Sequence, residues 1–230
     1  SNIADRGGNL LVTNGALVAL TNSSISLGEA SRGGGIFVLD GTGGSGEIML
    51  DGCTIQGNTS AADGGGVYLE SGALLDSRAS LYQSNQPEQG DGGAVYLGWA
   101  STLTSADDAF VENGSVEVSG TWGGAIALAS YAGATIERGS FRSNRAGNGG
   151  AISASYDNTL SMDSCLFEYN LAIFSNYYLA AWGGFSVDRF ISNLINLCQY
   201  IFIHTYLEYR KIMFFFYIKQ TEWHTKFIII

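Results

Sequence analysis

The chain has 230 residues, of which 46% are apolar and 14% charged, with 21 acidic against 11 basic side chains and a formal net charge of −10. Its 32 glycines are about twice the usual share of roughly 7%, yet they come with a single proline, Pro87, which excludes collagen and Pro-rich linkers. The acidic balance lacks the Lys/Arg clusters that phosphate neutralisation needs, so nucleic acid is excluded as a partner.

Composition divides the chain in two. All glycines lie at or before Gly184, no alanine follows Ala181, and all three lysines (Lys211, Lys219, Lys226) come later. Residues 1–188 carry 19 acidic and 6 basic side chains, while residues 189–230 carry 2 and 5. The expected organisation is a repeat domain over 1–188 and a non-repeat tail over 189–230.

The chain opens inside a unit, because Ser1-Asn2 stands before Gly7-Gly8 as Ser143-Asn144 stands before Gly149-Gly150. Further sequence is therefore expected upstream, and a signal peptide cannot be sought here. From there one sentence is written repeatedly. Glycine pairs begin at Gly7, Gly33, Gly64, Gly92, Gly123, Gly149 and Gly183, and an apolar landmark follows at Ile25, Ile55, Tyr82, Phe110, Phe141 and Phe167. The step from pair to landmark is 18 residues in five of six units and 22 in the unit holding the Gly-rich insert around Asp40–Gly46. A fixed internal ruler of this kind marks a stacked repeat.

Each unit predicts three short strands. The first follows the glycines, with apolar residues at every second position, as in Val67/Leu69 and Ile126/Leu128. The second lies seven and five residues before the landmark, as in Ile48/Leu50 and Ala134/Ile136, and the third is the landmark itself. Period-two spacing over about five residues leaves no room for a helix. Units of this size with tight corners predict an all-β, right-handed parallel β-helix of about six coils, since parallel crossovers prefer that hand. Asn58, Asn85, Asn113, Asn144 and Asn170 recur three residues after the landmark and are placed to bond from coil to coil. A leucine-rich repeat has a similar period, but its leucine framework is missing.

The Gly-Gly-Ala-Ile/Val segments Gly92–Val95, Gly123–Ile126 and Gly149–Ile152, alternating with the F-x-x-N segments Phe110–Asn113, Phe141–Asn144 and Phe167–Asn170, resemble the paired repeat of the polymorphic outer-membrane proteins. That resemblance covers residues 1–170. It implies an autotransporter-type passenger with a pectin-lyase-like β-helix, an extracellular or cell-surface location, and a role in adhesion. Departures from the pattern are Ile55 and Tyr82 for Phe, Gly28 for the first Asn, and Ser186 after Gly183-Gly184. The family's membrane β-barrel has no counterpart in this sequence.

Between the Asn position and the next glycine pair the linker has 4, 5, 6, 9, 4 and 12 residues, so length variation is confined to one corner. Such a corner either carries function or merely tolerates drift.

Candidate chemistry is sparse. His204 and His224 both lie outside the repeats, which removes histidine from any nucleophile or metal site there. Cys53 and Cys165 share a place in the unit but stand four coils apart, on the order of 19 Å at the strand spacing, too far for a disulfide. Nothing in the sequence requires a cofactor or a metal. Asp107-Asp108 is the adjacent acidic pair, and Arg138 falls one coil on from Asp107; this set is the catalytic alternative, with acidic polysaccharide as substrate, or else a ladder of opposite charges. The binding candidates are Phe37, Tyr68 and Tyr96, stacked between the inward residues of the first strand, with Trp99 and Trp122 close by. A stacked exterior ladder of this kind serves either a ligand or stability alone. The favoured reading is a non-enzymatic surface module whose partner is a glycan or a cell-surface protein.

The tail holds no convincing transmembrane segment, since its apolar runs fall short of about 20 residues or are broken by polar ones. Its Ile/Phe/Tyr/Asn/Lys composition resembles translated AT-rich sequence past a splice site or frameshift. A helical cap on the coil stack and a membrane-surface anchor are the other readings.

Overall fold

The computed structural model describes residues 2–39, 44–115, 120–155 and 157–172. They form an all-β solenoid of six coils, with no helix among the described residues. The tail of residues 189–230, with Cys198, His204 and His224, lies outside them, as do Trp182 to Ser186.

Three six-stranded parallel sheets run the length of the solenoid. The first contains Leu10–Val12, Ile36–Val38, Val67–Leu69, Val95–Leu97, Ile126–Leu128 and Ile152–Ala154, the segments that follow the glycine pairs. The second holds five-residue strands from Leu17–Thr21 to Thr159–Asp163, and the third is built on the landmarks, from Ser24–Ser26 to Leu166–Glu168. Register follows the sequence ruler: Val67 pairs with Val95, and Val95 with Ile126. Beyond the insert of the second unit the register is the same as before it, since Glu47 pairs with Leu17 at the start of the second strand.

A fourth, shorter sheet, which the apolar pattern did not announce, is made of the linkers Asn2–Arg6, Gly28–Arg32, Thr59–Ser60 and Gln86–Pro87. The nine-residue linker interrupts it, and Arg145–Ala146 and Leu171–Ala172 then pair separately. The variable corner is thus partly a strand, too short and too polar to show alternation.

The inside is one apolar column per inward position. Val67, Leu69, Val95, Leu97 and Ile126 are fully buried. The landmark rings stack through the middle: Tyr82, Phe110, Phe141 and Phe167 follow one another at centroid distances of 4.8, 4.8 and 4.7 Å. Those distances are the strand spacing itself, so parallel register alone brings rings at equivalent positions into contact.

The two glycines of each pair answer to different constraints. Gly123 has φ of 65°, in the left-handed region where a side chain is disfavoured. Gly124 is held by proximity instead, because a Cβ there would run into the carbonyl oxygen of Gly150 on the next coil. The corner between the second and third sheets is a single left-handed residue per coil whatever its identity, including Ala79, Asp107 and Arg138.

Asparagines tie this frame together. Asn58, Asn85, Asn113 and Asn144 are fully buried. The side-chain amide of Asn85 donates to Asn113 Oδ1 at 3.0 Å and to the Ile55 carbonyl at 2.8 Å; Asn113 does the same to Asn144 Oδ1 and the Tyr82 carbonyl. The result is a ladder of amides along the solenoid axis that satisfies groups the corners would leave buried and unpaired.

Candidate binding face

The outer face of the first sheet gathers the aromatic candidates. Its central row reads Leu11, Phe37, Tyr68, Tyr96, Ala127 and Ser153 by register. Phe37 and Tyr68 stack at 4.8 Å, and Tyr68 and Tyr96 at 4.9 Å. The row does not present open ring faces, however. Phe37 is fully buried and Tyr68 nearly so, while Tyr96, where the stack ends, is half-buried.

Beside this row runs a second, made by the residue before each glycine pair: Arg6, Arg32, Asp63, Asp91, Trp122 and Asn148. The guanidinium carbon of Arg6 lies 5.3 Å from the Phe37 ring centroid, and that of Arg32 lies 5.7 Å from Tyr68. At these distances each guanidinium is within reach of the attraction between a cation and a ring face. Burial pushes the Tyr68 hydroxyl up in pKa, with Arg32 opposing.

Farther along, the second row turns acidic and then aromatic. Asp63 Oδ1 accepts the Asp91 backbone N–H at 2.9 Å, and Asp91 Oδ1 accepts that of Trp122 at 2.8 Å. These bonds, with the bridge between Trp122 and Asn148, anchor the end of the nine-residue linker to the coils on either side. Burial pushes the Asp91 carboxyl up to about 6; the Trp122 N–H opposes this and Asp63 adds to it. Tyr96 is raised as well, by burial first and then by Asp63.

Exposed aromatic surface sits at the rims. Trp122 is 43% exposed on one side, and on the other Trp99 is 58% exposed and meets Tyr131, also 58% exposed, edge to face at 6.2 Å. Tyr131 was not singled out in the sequence. It lies one place past Trp99 on the next coil, in a left-handed corner, where no strand alternation draws attention to it. Arg6 and Arg32 were missed as well, although both stand immediately before a glycine pair.

Asp107 and Asp108 part company. Asp107 is an exposed corner residue held by Arg138 in a two-pronged contact, Nε to Oδ1 at 2.7 Å and a second guanidinium nitrogen to Oδ2 at 2.9 Å. That contact holds its carboxyl below the usual range. Asp108 is 1% exposed and turned into the core. It accepts Ser105 Oγ–H at 2.6 Å and the Ser80 N–H at 2.7 Å, and Ser77 beside it accepts the Tyr82 hydroxyl at 2.8 Å. Burial raises its pKa. The two carboxylates therefore do not face one substrate bond, as acid–base cleavage of a glycoside requires.

The thiols are equally unavailable to each other: Cys53 is free and buried, Cys165 free and half-buried, with burial raising the latter's pKa.

The stretch running from the corner glycine Gly52, through Ile55 and Asn58, to the glycine pair and the strand Val67–Leu69 matches the Chlamydia polymorphic membrane protein repeat over residues 52–70. The match covers one unit of the solenoid. No curated protein and no solved structure matches the chain. The matched segment spans both halves of one unit: Thr54–Gln56 and Asn58 belong to the third sheet and the amide ladder, and the glycines with Val67–Leu69 belong to the first sheet. A membrane-protein repeat wound into a solenoid fits a surface-protein repeat module. Among the described residues, no helix is long and apolar enough to cross a membrane, which leaves β-barrels unaddressed.

Proposed function

We propose that the chain is a non-enzymatic module of a cell-surface or secreted protein that binds a glycan or a surface protein of another cell, in adhesion. The observation that carries this reading is the pair of exposed aromatic rims, Trp122 on one side and Trp99 with Tyr131 on the other, flanking one face of a rigid stack. Aromatic side chains offer large contact area at low entropic cost, and hydrogen-bonded corners hold them in place before a partner arrives. The membrane-protein repeat supports an extracellular location. Cleavage of an acidic polysaccharide is the weaker reading, since Asp107 is tied up by Arg138 and Asp108 is buried.

The two are separated by incubating the full chain with immobilised neutral and acidic glycans and with cell-surface protein extracts, scoring retention and chain cleavage together. Retention that weakens in Trp99→Ala and Trp122→Ala, with glycan length unchanged, is the expected result. Cleavage that disappears in Asp107→Ala or Asp108→Ala would overturn it.

A further inference from the structure

One arrangement is built twice on the outer face of the first sheet. An arginine before a glycine pair lays its guanidinium by the ring that the next coil supplies: Arg6 by Phe37 at 5.3 Å, Arg32 by Tyr68 at 5.7 Å. The third ring breaks the series. For Tyr96 the preceding coil supplies Asp63 at that place instead of an arginine, its own coil supplies Asp91, and among the described residues no guanidinium lies over its ring. It is also the last ring in its row, because Ala127 and Ser153 follow on the next two coils. It is half-buried where Phe37 and Tyr68 are closed.

We infer that Tyr96, with Asp63 and Asp91, receives the guanidinium of an arginine side chain presented by a partner protein, in the relation that Arg6 and Arg32 have to Phe37 and Tyr68. The chemistry is favourable on four counts. A planar, weakly hydrated guanidinium stacks on a tyrosine ring better than an ammonium does. Burial raises the Tyr96 hydroxyl's pKa first, and Asp63 and Asp91 add to it while Arg32 opposes, so both carboxylates are near enough to act on this residue. The repeat region as a whole, with 19 acidic and 6 basic residues over 1–188, attracts a basic partner. Each carboxylate keeps an oxygen beyond the one that accepts a backbone N–H, and a carboxylate accepts several bonds at once. The inference rests on the reading of this face as a binding surface and specifies what it reads: an arginine on a protein.

The test uses the full chain and two fluorescein-labelled peptides, Gly-Gly-Arg-Gly-Gly and its twin with neutral citrulline for arginine, followed by fluorescence anisotropy. The arginine peptide binds about tenfold more tightly than the citrulline peptide, and added salt weakens it. Tyr96→Leu loses this preference and Tyr96→Phe keeps it, which separates the ring's contribution from damage to the fold. Asp63→Arg also loses it, by supplying the guanidinium from within. Equal binding of the two peptides, no binding of either, or unchanged preference in both Tyr96→Leu and Asp63→Arg would overturn the inference. Failure of glycan retention with arginine preference intact would remove only the glycan as partner.

Discussion

Asn9 occupies the rung that Gly28 leaves empty in the asparagine ladder. Its side-chain amide donates to Asn58 Oδ1 at 3.2 Å and to the Ser26 carbonyl at 3.1 Å, while its own Oδ1 accepts Asn2 Nδ2 at 2.6 Å. A Cβ at position 28 would collide with that amide and with the Gly34 carbonyl. The departure from the repeat at Gly28 is therefore compensated from the neighbouring corner, and the ladder runs unbroken from Asn2 to Asn170.

The middle of the ladder should be its most sensitive part. Asn113→Ala removes the acceptor of the Asn85 backbone N–H, one of the two acceptors of the Asn85 side-chain amide, and the side-chain donor to the Tyr82 carbonyl, all inside the core. At about 1–3 kcal/mol for each buried group left unsatisfied, this variant should lose several times the stability that Asn9→Ala loses at the exposed end. Urea unfolding of the two variants measures the difference; equal losses would mean the ladder adds little.

Tyr82 makes a second prediction, because it is the one landmark ring carrying a hydroxyl into the core. Tyr82→Phe keeps the stack with Phe110 and gives up the bond to Ser77, for a cost of about 0.5–1.5 kcal/mol. Tyr82→Leu also breaks the ring stack and should cost more in the same unfolding assay.

Stability should fall as pH rises through about 6. The folded Asp91 carboxyl titrates near 6, above its ordinary value of 3.8, so the folded state binds a proton that the unfolded chain has released. That contribution is fully present below 3.8 and lost as pH climbs past 6; buried Asp108, shifted the same way, adds to it. Urea midpoints at pH 5 and pH 7.5 should therefore drop in the parent chain and drop less in Asp91→Asn, which keeps an acceptor for the Trp122 N–H. An equal drop in both would refute the assignment.

We propose that the repeat domain ends by residue 188 and folds without the tail. A chain ending at Val187 should unfold with the same midpoint and cooperativity as the 230-residue protein and be at least as soluble. Aggregation or a broadened transition would make the tail a cap on the coil stack.

Much of the fold was legible because a parallel solenoid copies sequence spacing into space. Val67, Val95 and Ile126 recur at equal offsets and stack as neighbours for that reason. The linker sheet was not legible, since strands such as Thr59–Ser60 have two residues and no apolar alternation. The aromatic row was legible as a row but not as a buried one. Period-two alternation tells that Phe37 points away from the core, whereas the neighbours it meets there, the Arg6 guanidinium and the Tyr68 ring, come from other coils. The separation of Asp107 from Asp108 followed from alternation, but the polar pocket around Asp108 needed Ser77 and Ser105 from two different coils.

The central claim is that one outer face of this stack binds a partner without chemistry, and its most direct measurement is adhesion of beads coated with the full chain to a panel of cells. The Trp99→Ala, Trp122→Ala double variant, checked for an unchanged urea midpoint, is compared with the parent chain. The account predicts that the parent beads adhere and the variant beads detach, with Asp107→Ala beads adhering as the parent does. Adhesion unchanged in the double variant, or lost in Asp107→Ala, would contradict it.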